Sequence, residues 1–156
     1  MVQTGAAAAT GTEVAWNDDY TVNNINETRS QVTFTMYAGT ALNRSFLDTG
    51  SNAYFFPDAS IPACSDQVDF FCPKSPLSAS AQIEGLNGSV TTINFAVQNA
   101  DAMSSADAVE PDLAGPAPAA DLSSFDWGLP FFVGRRVTIG LENANFGSVP
   151  GPADAF

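Results

Sequence analysis

The order of apolar and polar positions along the chain predicts mainly β structure. Residues 32–37 alternate between apolar and polar side chains, which is the period of a half-buried strand. A turn at 38–40 leads into a second predicted strand at 42–47, and the apolar run 53–56 predicts a third. Residues 57–76 follow as a loop, because proline interrupts this stretch repeatedly.

The second half of the chain begins with a predicted hairpin at 77–97. Its turn contains Asn-Gly at 87–88, a pair in which both residues tolerate positive φ. Residues 99–121 are rich in Ala, Asp and Pro, so we expect a surface excursion with a short helical turn near its start. Residues 125–133 are dense in aromatic side chains, and 136–141 predict a last strand.

Length and composition indicate a single folded domain. The chain has 156 residues, of which 45% are hydrophobic and 14% charged, far from the composition of a disordered protein. We expect residues 1–30 to be an N-terminal tail and edge segment, and residues 31–156 to be the folded lobe.

Charge and histidine content exclude several function classes. The chain carries 17 acidic and 5 basic residues and has no His. Its net negative charge repels phosphate backbones, so no nucleic-acid partner is expected. No apolar run is long enough to span a membrane, and no membrane partner is expected either. Without His there is no Ser-His-Asp or Cys-His nucleophile, and we predict no cofactor and no metal site.

The two cysteines, Cys64 and Cys72, lie close together in the predicted loop. A local disulfide is the favoured interpretation, with two free buried thiols as the alternative. A disulfide implies an oxidising compartment, so we predict a secreted or periplasmic protein.

The candidate chemistry lies at residues 48–51, where Asp-Thr-Gly-Ser stands between two apolar strands. The segment continues with Asn52, apolar residues 53–56 and Pro57, followed by the loop that contains both cysteines. This order resembles one lobe of a pepsin/retropepsin-type aspartic peptidase. The resemblance covers roughly residues 31–145 and implies a closed β-barrel with a flap hairpin and one short helix.

The resemblance also implies roles for individual residues. Asp48 would be the catalytic carboxylate, Gly50 would allow close backbone approach, Thr49 would brace the turn from beneath, and Ser51 would hydrogen-bond the carboxylate. The hairpin at 77–97 falls where the family has its flap.

The tip of this hairpin carries Ile83, Leu86 and Asn87, which are the expected substrate contacts. An extended peptide substrate would pair its backbone with the hairpin.

Only one Asp-Thr-Gly sequence is present, whereas pepsin-type chemistry needs two facing aspartates that share a proton. A single lobe can supply both only as a twofold homodimer through the Asp48 face. The resemblance therefore predicts an aspartic endopeptidase-like hydrolase with paired Asp48 carboxylates. The alternatives are a carboxylate-pair hydrolase for glycosides or esters and a non-catalytic binding or assembly lobe.

The chain is also similar to the C-terminal part of an uncharacterised family of secreted bacterial proteins. That family joins an Asp-(Ser/Thr)-Gly-Ser segment to a segment like Phe-Asp-Trp-Gly-Leu-Pro-Phe-Phe, here residues 125–132. Within this segment we expect Asp126 to be a turn or capping residue rather than a second active-site carboxylate. We expect its aromatic side chains to belong to the core rather than to a ligand platform: Trp127, Phe131 and Phe132.

Charged residues elsewhere are assigned structural roles. Arg135 and Arg136 are expected to pair with the protein's own carboxylates. Asp66 and Asp69 lie in the cysteine loop but lack the spacing of a calcium-binding loop.

Overall fold

A computed structural model describes residues 13–15, 33–85, 90–103, 110–140, 145–146, 149–150 and 153–155. These contain twelve strands, one four-residue α-helix and one 3₁₀ turn. The strands are β1 Glu13–Ala15, β2 Thr33–Tyr37, β3 Thr40–Leu47, β4 Tyr54–Phe56, β5 Leu77–Gly85, β6 Val90–Val97, β7 Ala114–Pro116, β8 Asp126–Trp127, β9 Thr138–Gly140, β10 Asn145–Phe146, β11 Val149–Pro150 and β12 Ala153–Ala155; the helix α1 is Leu129–Phe132 and the 3₁₀ turn is Ala100–Ala102.

Seven of the strands form one sheet in the order β6-β5-β2-β3-β8-β4-β7. The sheet is nearly closed into a barrel. Just beyond β6, the Gln98 N–H donates to the Asp112 carbonyl, just ahead of β7, at 3.0 Å. The predicted fold class is therefore confirmed as a mainly β, single-lobe barrel with a long hairpin and a short helix.

Both predicted hairpins are present in this sheet. β2 and β3 are joined by Ala38 and Gly39, whose φ angles of 48° and 79° match the two-residue turn that follows the twist of a hairpin. β5 and β6 pair along eight residue pairs, from Leu77 opposite Val97 to Glu84 opposite Val90. The tip of this second hairpin, residues 86–89, lies outside the described residues.

The insertion of β8 between β3 and β4 decides the geometry of the candidate site. β8 runs parallel to β3 and antiparallel to β4. Because residues 48–53 connect β3 directly to β4, the chain makes this connection across the end of β8. The backbone of β8 and the Asp126 side chain therefore lie against the Asp-Thr-Gly-Ser turn.

An aromatic cluster fills the barrel. Phe125 stacks on Trp127 with ring centroids 4.0 Å apart and on Phe56 at 4.8 Å. Trp127 is fully buried, and its indole N–H donates to the buried Thr35 hydroxyl at 3.0 Å. The cluster fixes β8 in the sheet, because removing these rings from water stabilises only the arrangement that keeps them together.

Residues 99–121 were predicted as a surface excursion, but part of this segment belongs to the sheet. The segment begins with the 3₁₀ turn, but it also contains β7, which pairs in parallel with β4. Strand propensity is low in the sequence Ala-Gly-Pro, so tertiary packing decides this strand. Gly115 is required there, since a Cβ atom at this position would lie 2.0 Å from the Asp69 carbonyl oxygen.

The chain ends add a smaller sheet in the order β1-β12-β9. The strand predicted at 136–141 is β9, whereas β10, β11 and β12 were not predicted. β1 lies at the edge of this sheet, inside the segment predicted as tail and edge. The rest of residues 1–30 lies outside the described residues, and the domain division at residue 31 stays a prediction.

Cys64 and Cys72 form the predicted disulfide, which closes the loop after β4. This bond is consistent with a secreted protein. In the part of the chain that the structure describes, no helix has the length and hydropathy needed to cross a bilayer.

Candidate active site

Asp48 lies at the end of β3, where the chain turns toward β4, and its side chain is half-buried. The carboxylate is held on both sides: Oδ1 accepts the Gly50 N–H at 2.7 Å and Oδ2 lies 2.9 Å from Ser51 Oγ. A Cβ atom on residue 50 would lie 3.0 Å from Asp48 Oδ1, so glycine allows this close approach.

The turn is braced from beneath by the backbone of β8. The Asp48 N–H donates to the Trp127 carbonyl at 3.1 Å, and the Leu129 N–H donates to the Ser51 carbonyl at 2.7 Å. The resemblance assigned this bracing to Thr49, but the Thr49 side chain is exposed at the turn. Backbone hydrogen bonds therefore take the role expected of a hydroxyl.

Gly128 permits this contact between β8 and the turn. A Cβ atom on Gly128 would lie 2.0 Å from the Ala53 carbonyl oxygen and 2.9 Å from that of Ser51. Any side chain at this position would push the turn away from β8.

The same packing places a second carboxyl group beside Ser51. Asp126 Oδ2 lies 2.5 Å from Ser51 Oγ, so one hydroxyl contacts the carboxyl groups of both Asp48 and Asp126. Asp126 is 8% exposed, and its Oδ1 atom has no hydrogen-bond partner among the described residues. Asp126 is thus a strand residue with a buried carboxyl group, and its assignment as a turn or capping residue was wrong.

Burial is the main cause of an altered acidity at Asp126. Removing the charged form from water raises the pKa of Asp126 to about 6, the negative charge of Asp48 adds to this, and the hydrogen bond with Ser51 opposes it. This carboxyl group is therefore protonated in mildly acidic solution, where ordinary aspartates are ionised.

The sequence contains a signal for this residue that the turn assignment overlooked. Asp126 stands between Phe125 and Trp127, in a run that otherwise predicts a buried strand. An acidic residue is almost never buried unless it has a partner. An acidic residue inside an aromatic run therefore indicates that its side chain contacts a polar group from another part of the chain.

Of the three predicted substrate contacts at the hairpin tip, the structure describes only Ile83. Ile83 is fully buried in the hydrophobic core, so its assignment to substrate binding is corrected. The alternation of β5 turns this side chain inward, since successive residues point to opposite faces of a sheet. Leu86 and Asn87 lie outside the described residues.

The aromatic residues of the C-terminal segment are core residues, as predicted: Trp127 and Phe131 are fully buried, and Phe132 packs against them. Arg135 has partners other than the carboxylates that were expected. Its guanidinium donates to the Phe131 carbonyl at 2.6 Å and lies 4.9 Å from the centre of the Phe131 ring. Arg136 is exposed.

Among the described residues, one group of potential metal ligands has three members: Cys64, Cys72 and Asp101. The two sulfur atoms are bonded to each other and are not available as thiolates, so this group does not suit a metal ion. Asp66 and Asp69 are exposed in the same loop.

A cleft of about 580 Å³ lies away from the Asp48 turn, and Tyr37, Leu42, Asp58 and Leu122 are among its lining residues. The Tyr37 hydroxyl donates to Asp58 at 2.7 Å. Leu42 precedes Asp48 by six residues along the extended strand β3, a separation of about 20 Å. The cleft is therefore distinct from the candidate active site.

The family model described as "Protein of unknown function (DUF3443)" matches residues 3–156. The chain belongs to the DUF3443 family. The matched region of this DUF3443 protein includes the Asp48 turn, the disulfide loop and β8, so all parts of the candidate site lie within the family domain. No curated protein and no solved structure matches the chain. The peptidase resemblance stays a prediction.

Proposed function

We propose that the protein is an aspartic-type hydrolase in which the Asp48 carboxylate activates a water molecule for attack on a peptide carbonyl. The geometry of Asp48 supports this. Its carboxylate is only half-buried, and hydrogen bonds from Gly50 and Ser51 hold it in one orientation. A general base needs both access to its substrate and a fixed position.

A carboxylate that activates water in this way works with a second carboxyl group. A twofold homodimer through the Asp48 face is one source, because the axis would bring two copies of Asp48 together. Thr49 and Gly50 are exposed at this turn, which leaves the face open to a second copy. Light scattering on a sizing column at pH 4 and pH 7 tests the dimer. A monomer at both pH values would contradict it and leave Asp126 of the same chain as the partner carboxyl group.

A non-peptide substrate is the second candidate. Asp48 and Asp126 both contact Ser51 Oγ, so their nearest oxygens are separated by no more than those two contacts combined. This upper limit, about 5 Å, is close to the separation of the two carboxyl groups in retaining glycosidases. Chromogenic glycosides and esters, assayed beside unstructured peptides, distinguish the two substrate classes.

The decisive variant is Asp48→Asn, which keeps the shape of the side chain and removes the base. We expect hydrolysis by this variant to fall by at least about 10²-fold, the lower end of the contribution of general-base catalysis. The exposed Asp66 supplies the matched control, because Asp66→Asn removes the same charge away from the turn. Near-ultraviolet circular dichroism checks that both variants keep the native fold.

Full activity in the Asp48→Asn variant would refute the assignment. A wild-type protein that hydrolyses none of these substrates but binds peptides would instead indicate a non-catalytic binding lobe.

We also infer that the protein works in the periplasm or outside the cell. The Cys64–Cys72 disulfide supports this, because such bonds persist in oxidising compartments. Fractionation of the native source, with alkylation of free thiols, tests the inference. The expected result is an oxidised protein in the periplasmic or extracellular fraction.

A further inference from the structure

The Ser51 hydroxyl has one proton but two carboxyl neighbours. Its oxygen lies 2.9 Å from Asp48 Oδ2 and 2.5 Å from Asp126 Oδ2. A hydroxyl donates one hydrogen bond and accepts others. Both contacts are therefore hydrogen bonds only if one of the two carboxyl groups supplies a second proton.

Asp126 is the better holder of this second proton. It is 8% exposed, and its Oδ1 atom has no hydrogen-bond partner among the described residues, so an ionised Asp126 would bury a charge that only the Ser51 hydroxyl offsets. Asp48, in contrast, is half-buried and accepts the backbone N–H of Gly50 on its other oxygen. The second proton is thus favoured on Asp126.

The other charged groups near β8 do not alter this assignment. Asp48 directly follows β3, and Arg44, within β3, pairs with Asp121 at 3.8 Å. β4 contributes Tyr54, whose hydroxyl interacts with Arg135. The helix α1 has no charged residue.

We propose that Asp48, Ser51 and Asp126 form one proton-sharing unit within a single chain. In this unit Asp126 is a positioning residue that acts through Ser51. The protonated Asp126 donates to Ser51 Oγ, and the Ser51 proton is thereby directed to the Asp48 carboxylate and orients it.

Ionisation of Asp126 removes this arrangement of hydrogen bonds. Ser51 then has one proton for two carboxylates, and the new charge on Asp126 repels Asp48. Both hydrogen bonds of the unit are therefore present in mildly acidic solution, and one of them is lost as the pH rises through about 6. The effect on catalysis rests on the proposed function, whereas the sharing of the proton does not.

Carbon-detected NMR of the aspartate carboxyl groups tests the unit without any substrate. We expect Asp126 to titrate near pH 6 in the wild-type protein. Asp48→Asn should lower the pKa of Asp126, because it removes the neighbouring charge, and Ser51→Ala should raise it, because it removes the opposing hydrogen bond. The control Asp66→Asn should leave it unchanged. An Asp126 that titrates with ordinary aspartates, or that responds to neither Asp48→Asn nor Ser51→Ala, would overturn the proposal.

The pH profile of hydrolysis separates positioning from a merely structural role. In Asp126→Asn the side-chain amide donates to Ser51 at every pH, so we expect the decline of wild-type activity above about pH 6 to be absent from the pH profile of this variant. Asp126→Ala has no donor, and we expect it to be less active across the whole range. A decline that persists unchanged in Asp126→Asn contradicts the proposal.

Failure of the proposed function has a different signature. It would appear as a wild-type protein without hydrolytic activity in which Asp126 still titrates near pH 6.

Discussion

The substitution Asp126→Asn should make the protein more stable at neutral pH than the wild type, although it replaces a residue of the candidate active site. The wild-type carboxyl group is buried, and above pH 6 it carries a charge that has little solvent and only one hydrogen-bond partner among the described residues. The asparagine amide has nearly the same shape and is never charged. Its cost of burial is therefore independent of pH.

The magnitude follows from the difference in acidity between the folded and unfolded states. The pKa of Asp126 is 3.8 in an ordinary environment and about 6 in the folded protein, so the folded state binds this proton more tightly. The free energy of unfolding of the wild type accordingly falls as the pH rises from about 4 to about 6. The full loss amounts to about 3 kcal/mol, and most of it occurs between pH 4 and pH 7.5.

Urea denaturation of both proteins, with the disulfide intact, measures this effect. Other titrating groups contribute to each curve, and those that do not interact with Asp126 cancel in the difference between the variant and the wild type. We expect the stability of Asp126→Asn relative to the wild type to increase by about 2 to 3 kcal/mol from pH 4 to pH 7.5. Asp66→Asn should show no such change. A relative stability that does not depend on pH would refute the buried, proton-holding state of Asp126.

Three further predictions concern the framework of the site and are checked by urea or thermal unfolding. Gly128→Ala should destabilise the protein by about 3 kcal/mol or prevent folding, because its Cβ atom would meet the Ala53 carbonyl at 2.0 Å; near-wild-type stability would contradict the close contact. Ala38→Asn should stabilise it by about 1 kcal/mol, since Ala38 has a φ of 48° that asparagine tolerates better. Replacing both Cys64 and Cys72 by serine should cost about 2 to 3 kcal/mol, from the chain entropy of a loop with a sequence separation of 8; unchanged stability would show that the loop is held by other contacts.

Much of the fold follows from local sequence patterns. The alternation in β2, the two predicted arms at 77–97, which are β5 and β6, and the proline-interrupted loop after β4 each correspond to an element that the structure describes. These signals are reliable because side-chain period and turn geometry act over a few residues. The Asp48 turn was also located from its sequence, and the contacts that Gly50 and Ser51 make with the carboxylate are those that the peptidase resemblance implied.

The partnership of Asp126 with this turn could not be predicted in the same way. Ser51 and Asp126 are 75 residues apart, and they meet only because β8 enters the sheet between two strands that are consecutive in the chain. β7 likewise forms only through a non-local pairing, since its sequence has low strand propensity and it pairs with the distant strand β4. Local patterns contain no information about which distant strands become neighbours.

The sequence by itself therefore determined the strands of the two hairpins, the loop that contains both cysteines and the position of the carboxylate on which the proposed chemistry depends. Only the tertiary structure decided which residues surround that carboxylate. The physical reason is that burial of the aromatic side chains around Trp127 selects one arrangement of strands, and this arrangement places Asp126, on the neighbouring residue of β8, against Ser51.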